Sequence, residues 1–359
     1  GHSGMPMGMA DVATVLFTKF LKFDATDPHW FDRDRFILSA GHGSMLLYSL
    51  LHLTGQADMP MSELENFRQL GSNTPGHPEY GHGHGVETTP GPVGQGLGNS
   101  VGFALAERIL NAEFGDDLVD HHTYVLAGDG CLMEGISQEA ITLAGHLKLS
   151  KLICLFDDNG ISIDGPVSLA TSEDHLRRFA AAGWDVQSID GHDPAAIEAA
   201  IAHAKTTDTP SMIACNTTIG FGAPTLAGSA KTHGAPLGEE EIAGARKFYG
   251  WDLPPFELPQ DVVDAWHAAG RKGRAVHEAW AERLAFSDRR DEFGRRMRGD
   301  LPANLHAVIN DFRHAISHEA PKVATRVSSQ KTIDALLEVM PELIGGSADL
   351  TGSNNTKGK

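Results

Sequence analysis

The sequence predicts an α/β fold in which a mostly parallel sheet is flanked by helices on both faces. Short apolar runs alternate with stretches of helical periodicity, the pattern of strand–helix–strand units. Most of the runs are bounded by turn residues or charges, and they read as strands buried within a parallel sheet.

The elements follow in order. Arg35 to Ser39 (RFILS) is the first candidate strand, followed by Thr123 to Ala127 (TYVLA), Leu152 to Phe156 (LICLF), Val186 to Ile189 and Met212 to Cys215. Between them, Gln95 to Asn111 places Leu97, Val101, Ala104, Leu105 and Ile109 roughly on one helical face, and Ser137 to Leu147 behaves similarly. Pro194 to Lys205 is a third helix, with Asp193 as its N-cap and Pro194 in its first turn. In such sheets ligands bind beyond the carboxyl ends of the strands.

Asp261 to about His318 is charged, helical and rich in Ala, Arg and Glu. Near Val323 the pattern changes. Thr325-Arg326-Val327-Ser328-Ser329-Gln330 precedes a predicted helix from Lys331 to Val339, and Leu343 to Leu350 reads as a strand with its exit loop. The expected division is a first domain over 1–300, a connector over 301–322 and the opening of a second domain over 323–359. Both ends look cut, since the chain starts at Gly1-His2-Ser3-Gly4 and stops soon after the last predicted strand.

Composition narrows the function classes. The formal net charge of -18 argues against nonspecific binding to nucleic acid or anionic membrane, while leaving room for a local anion site. No apolar stretch is long enough to span a bilayer. Cys131, Cys154 and Cys215 form neither a disulfide framework nor a metal-type spacing, and a reducing cytoplasm fits them.

Chemistry concentrates in Gly128-Asp129-Gly130-Cys131-Leu132-Met133-Glu134-Gly135, which follows a strand and opens a helix. About thirty residues later, Asp157-Asp158-Asn159 follows the next strand. Asp129 and Asn159 therefore fall at the carboxyl ends of neighbouring strands. An Asp oxygen, an Asn carbonyl and a peptide carbonyl are hard ligands suited to Mg2+. Gly130 lets a backbone N–H approach a phosphate at a helix N-terminus, where the helix dipole favours an anion. A lone G-D-G is weak, because it also occurs in ordinary turns; the pair of motifs is specific.

Nineteen histidines is a high count. His121, His122, His203 and His314 read as solvated or packing residues. His2, His42, His77 and His233 sit in Gly- or Pro-rich contexts, and His42 directly follows the first strand. Each alone reads as a turn or cap residue, and none has the spacing of a zinc site. His82 and His84 share a Gly-rich loop but are not expected to form one.

GDGCLMEGISQEA followed by FDDNGISIDG resembles the transketolase family of thiamine diphosphate enzymes, and the similarity runs from GHSGMPMGMA to GGSADL. The resemblance implies a thiamine-diphosphate-binding fold. Residues 1–300 would bind the diphosphate, and 323–359 would begin a pyrimidine-binding domain. Asp129, Asn159 and the Ile161 carbonyl would hold Mg2+, with Ca2+ or Mn2+ able to replace it. Gly130, Asn159, His42 and His233 would contact the cofactor, as would Gly91, Pro92 and Val93 of the G-P-x-G-Q-G turn. His2 and His233 would be catalytic and face the substrate's reacting oxygens, and His77 would bind substrate hydroxyls. Arg326, in a context similar to the family's S-R-x-x-S-Q, and Ser353 would bind the sugar phosphate. Asp349 would lie near the cofactor across a homodimer interface.

The implied activity is transfer of a two-carbon ketol unit from a ketose phosphate to an aldose phosphate. The family also uses a Glu from its second domain to activate the aminopyrimidine, and no position among these residues matches it, so this stretch alone is expected to show little activity. Three alternatives remain at this point. One is another thiamine diphosphate enzyme, dihydroxyacetone synthase above all, although GHGSML, PGHPE and HGAPLG favour transketolase over deoxyxylulose-phosphate synthase and keto-acid dehydrogenase components. The others are a noncatalytic split subunit and a metal-dependent nucleotide-binding protein. The last lacks a G-x-x-x-x-G-K-[ST] loop.

Overall fold

The computed structural model describes residues 2–358. The chain divides into two compact units, residues 1–283 and 284–359.

The first unit is built on a five-stranded sheet. Its strands are β1 (Arg35–Leu38), β2 (Thr123–Gly128), β3 (Leu152–Asp158), β6 (Asp185–Asp190) and β7 (Ser211–Asn216), in the spatial order β1-β2-β3-β7-β6 and parallel throughout. The two remaining strands, β4 (Ile161–Ser162) and β5 (Gly165–Pro166), pair as a small antiparallel hairpin directly after β3. Tyr124 to Ala127 and Leu152 to Cys154 are wholly buried, as is Met212 to Cys215, so the uniform apolar runs do mark central strands. Val186 to Ile189 differs from expectation. It forms β6, but at the sheet's edge, paired on one side only and partly exposed.

The strand order explains how both faces are covered. The chain moves one way from β1 through β2 to β3, then steps back from β6 to β7. Right-handed crossovers therefore place the Pro194–Ala204 helix on the face opposite the Gln95–Phe114 and Gly135–His146 helices. The latter two pack on each other, whereas Pro194–Ala204 packs on the helical segment of residues 10–20. Asp193 caps the Pro194–Ala204 helix, accepting from the Ala195 N–H at 2.9 Å.

Two glycines set the entry to the Gln95–Phe114 helix. Gly94 has φ +84°, a left-handed conformation that an L-residue resists. A Cβ on Gly96 would stand 2.4 Å from the Ser39 Cα. The helix thus starts in direct contact with the end of β1, and the Leu97 N–H donates to Ser39 Oγ at 3.1 Å. This contact brings the G-P-x-G-Q-G turn beside the segment carrying His42.

The second unit is helical, with Arg290–Met297, Leu305–Glu319, Thr325–Leu337 and Thr351–Asn354. Residues 301–322, expected as a connector, contain the second of these. Arg295 joins Glu292 and Glu342 through charge-assisted hydrogen bonds of 2.7–3.1 Å. Two expectations are corrected here. Thr325 to Gln330 forms the first turns of the helix rather than preceding it. Leu343 to Leu350 is not a strand, and Ile344 and Leu350 are exposed. A strand needs a neighbour for its backbone donors and acceptors, and the described residues of this unit contain none. Among the described residues, no helix is long and apolar enough to cross a membrane.

Candidate functional site

The register of the two central strands builds the floor of the site. Gly128 pairs with Asp157, so Asp129 emerges beside the Asp157-Asp158-Asn159 turn. Asp129 opens the short helix Asp129–Met133 directly after β2. Asp129, Gly130, Asp157, Asn159 and Ile161 all line one cavity of about 210 Å3. Liquid water occupies ~30 Å3 per molecule, so the space admits a group far larger than a lone ion. A Cβ on Gly130 would meet only Val93, at 3.6 Å, and would otherwise extend into open space.

Three carboxylates crowd this floor. Burial, reinforced by Asp158 and Asp157, pushes Asp129 up to about 7. Burial also pushes Asp157 up to about 6 against the hydrogen bonds from Thr217 and Asn159, and it raises Asp158. Clustered carboxylates in a dry site resist ionising together, and a bound cation inverts that preference. Among the described residues, no group of three or more His, Cys, Asp or Glu could hold a metal ion. A cation here would therefore need a mixed oxygen set of carboxylate, amide and peptide carbonyl. That set suits a hard divalent ion, and the residues present fit one.

The Asn159 amide is fixed on both sides. Its Nδ2 donates to Asp157 Oδ2 at 2.7 Å, and its Oδ1 accepts the Ile161 N–H at 2.9 Å. The β4–β5 hairpin follows at once and lines the cavity with Ile161, Ser162 and Ile163.

Two imidazoles from distant parts of the sequence, His42 and His233, line the same cavity, and a third, His2, packs against both without lining it. The ring centroids of His42 and His233 are 4.8 Å apart, those of His2 and His42 5.1 Å, and those of His2 and His233 5.7 Å. His42 sits in a single helical turn after β1, and His233 in the short Lys231–Gly234 helix beyond β7. His2 precedes the Gly4–Gly8 helix, which is tied to the loop after β7 by the Gly220 N–H donating to Gly4 O at 2.9 Å. Burial, then the neighbouring His233 and His2, drives His42 down to about 3; burial also lowers His2 and His233. Burial thus favours the neutral form of all three rings, in which an imidazole carries one donor and one acceptor nitrogen. His77 is exposed and close enough to act electrostatically on His2 and His42.

Not every predicted residue reaches the cavity. Val93 lines it, whereas Gly91 and Pro92 are exposed and do not. Arg326, Asp349 and Ser353 belong to the second unit, and all three are exposed there. Arg326 is in the first turn of its helix, and Asp349 has φ +60° in a loop. His84 pairs with Asp58 at 2.8 Å.

Met5, Ile163, Ile219 and Thr217 were missed in the sequence. Met5, Ile163 and Ile219 line the cavity, and the Thr217 hydroxyl donates to Asp157. Only the adjacency of Asp157 to Asn159 offered a signal. Thr217 lies 60 positions from Asp157 in sequence and carries no local motif.

A parallel α/β sheet with oxygen-bearing side chains and clustered imidazoles at its carboxyl edge defines a cofactor-binding domain of the doubly wound type. Residues 1–302 match the family model "Transketolase, thiamine diphosphate binding domain", and the chain belongs to this transketolase family. It is 56% identical over 359 residues to a transketolase of Cereibacter sphaeroides, covering 100% of this chain and 54% of that protein. It is 54% identical to transketolase 2 of Escherichia coli K12, covering 99% of this chain and 55% of that protein. The structure of a transketolase from Leishmania mexicana superposes with a TM-score of 0.92 at 44% identity, over 99% of this chain and 54% of the other. A transketolase from Pichia stipitis, solved in complex with sedoheptulose 7-phosphate, gives 0.90 at 40% identity, over 100% and 54%. The chain spans about half the length of the curated relatives it matches.

Proposed function

We propose that this chain is the diphosphate-holding part of a transketolase, which moves a two-carbon ketol unit from a ketose phosphate of the xylulose 5-phosphate type to an aldose phosphate of the ribose 5-phosphate type. The observation that carries this reading is the shared cavity of Asp129, Gly130, Asn159 and Ile161, lined also by His42 and His233, with His2 packed against both rings. Asp129, the Asn159 amide oxygen and the Ile161 carbonyl would hold Mg2+, and the Gly130 N–H would meet a diphosphate oxygen. Ca2+ or Mn2+, being hard cations of similar preference, would substitute.

Thiamine diphosphate, when bound, supplies a nucleophilic carbon and an electron sink. The chain's own residues do the rest. His42 and His233 would line the cofactor's reactive side, and His2 and His233 would donate to and accept from the substrate oxygens whose protonation changes during carbon–carbon cleavage. Neutral imidazoles suit this work because one ring can give or take a proton without carrying a buried charge beforehand. His77 would hydrogen-bond the sugar hydroxyls, and Gly91 and Pro92 would flank the cofactor beside Val93.

On the same reading, residues 1–300 form the diphosphate-binding domain, 301–322 connect, and 323–359 open a pyrimidine-binding domain. Arg326 and Ser353 would bind the substrate phosphate, and Asp349 would approach the cofactor across a homodimer interface. A guanidinium fork matches a phosphate's oxygens. Cys131, Cys154 and Cys215 are buried free thiols, which suit a reducing compartment, and we place the enzyme in the cytoplasm.

The test is ketol transfer by the intact protein supplied with thiamine diphosphate, Mg2+, xylulose 5-phosphate and either ribose 5-phosphate or formaldehyde. The expected result is product from the aldose phosphate and loss of it in Asp129→Ala. Turnover with formaldehyde alone would indicate a dihydroxyacetone synthase. No turnover with either acceptor, or a protein that sediments as a monomer when loaded, would contradict the reading.

A further inference from the structure

We propose that Asp157 is a positioning residue that fixes which face of the Asn159 amide meets the metal. The inference rests on the reading above, that Asn159 offers its Oδ1 to a divalent cation. Asp157 is 1% exposed, at the last buried position of β3. Its Oδ2 accepts from Asn159 Nδ2 at 2.7 Å, and its Oδ1 accepts from the Thr217 hydroxyl. An amide has two nearly isosteric ends, and only its partners decide which end points where. Here the carboxylate takes the NH2 end and the Ile161 N–H takes the oxygen, at 2.9 Å. Turned over, the amide would set two donors against each other at Ile161 and an oxygen against a carboxylate at Asp157. The oxygen keeps a second lone pair for a cation.

The tether behind Asp157 is itself anchored. The Thr217 N–H donates to the Asp158 carbonyl at 3.3 Å, and the next residue, Thr218, donates its N–H to His192 Nε2 at 3.0 Å. His192 Nδ1 meets Asp11 Oδ2 at 3.0 Å, which sets the ring with its proton on Nδ1. The carboxyl ends of β3 and β7 and the first helices are thus joined in one hydrogen-bonded line ending at the amide. Partners of this kind behind a metal ligand orient it, and losing one typically costs 10–100-fold in affinity.

Asp157→Asn distinguishes positioning from charge. The new amide has one acceptor end where the carboxylate had two: with its oxygen on Thr217 it presents a donor to Asn159 Nδ2 and favours a flipped Asn159 amide, and turned about it holds Asn159 only if the Thr217 hydroxyl switches from donor to acceptor. Asp158→Asn removes the same charge one residue away, where no hydrogen bond to Asn159 exists. The experiment is Mn2+ binding to the intact protein with thiamine diphosphate present, followed by the electron paramagnetic resonance of free Mn2+, with thermal melting as a folding control. Asp157→Asn is expected to weaken Mn2+ by about ten-fold or more, and Asp158→Asn by much less. Thr217→Val, which leaves every carboxylate in place, is expected to weaken it by a smaller factor that Thr217→Ser restores; this pair serves if Asp157→Asn fails to fold. Equal weakening by the two Asp variants, or unchanged binding in both Asp157→Asn and Thr217→Val, overturns the proposal while leaving the site's identity intact. Absence of Mn2+ binding in the unsubstituted protein overturns both.

Discussion

Burial of ionisable groups is the dominant effect at the residue scale, and it reaches beyond the cavity. His122, immediately before β2, stacks on Tyr124 of that strand, with ring centroids 6.0 Å apart. Burial, aided by Lys205 and Lys151, drives it down to about 3, and its side chain is only 17% exposed. A base whose folded value lies below its unfolded value of ~6.5 binds fewer protons folded than unfolded between the two. Its contribution is therefore intact above that unfolded value and is lost as pH falls toward 3. At pH 4.5 the loss amounts to roughly 2–3 kcal/mol. His122→Phe keeps the ring stack and removes the titration. Urea unfolding at pH 7 and pH 4.5 should show a smaller acid-induced drop in the variant than in the parent protein. The raised carboxylates Asp129 and Asp157 act in the opposite sense, so only the difference between variant and parent isolates the histidine. An equal drop in both would contradict the burial argument.

The same scale shows what the sequence could and could not reveal about the site. That Asp129, Gly130 and Asn159 line one cavity was legible because each follows a strand within a short motif, and parallel pairing of adjacent strands then brings the motifs together; Ile161 entered only through the resemblance. His2, His42 and His233 were individually ambiguous, since no local pattern links three imidazoles from opposite ends of a domain. Only the resemblance to a family joined them. Thr217 and His192 were invisible for a further reason: they act through other side chains, and nothing in their neighbours' identities records it.

At the scale of elements, the central strands were legible because buried parallel strands are uniformly apolar. The expected strand at Leu343 to Leu350 was misread on the same signal. A short apolar run says that burial is available, while a strand also needs a paired backbone. The Gln95–Phe114 helix illustrates the opposite case, where packing constrains a residue that propensity would replace. Gly96 meets Ser39 Cα with no space for a methyl group, whereas Gly102, in the same helix, has nothing within 4 Å. Gly96→Ala is expected to destabilise by about 1–3 kcal/mol through overpacking, and Gly102→Ala to stabilise by up to about 1 kcal/mol through helix propensity. Chemical denaturation of the two variants checks both signs. A neutral Gly96→Ala would mean that the helix start is not held against β1.

At the scale of the whole molecule, the sheet, its crossovers and the family membership agree. The strand order β1-β2-β3-β7-β6 leaves the carboxyl ends of β2, β3 and β7 side by side; Asp129, Asn159 and His233 follow those ends and His42 follows β1, while His2 joins them from ahead of the first helix. A protein of net charge -18 places its anion-binding locus where backbone N–H groups and a metal, rather than a basic surface, would supply the positive charge. The acidic surface and the anionic cofactor are thus compatible. Charged helices over residues 261–318 look alike in sequence whether they close one unit or open the next.

Anomalous diffraction from crystals of the intact protein grown with Mn2+ and thiamine diphosphate tests the central claim most directly. The account predicts one strong Mn2+ peak bounded by the Asp129 carboxylate, the Asn159 amide oxygen and the Ile161 carbonyl, with diphosphate oxygens completing the shell. A Mn2+ peak elsewhere on the chain, with Asp129 and Asn159 touching neither metal nor diphosphate, would contradict it.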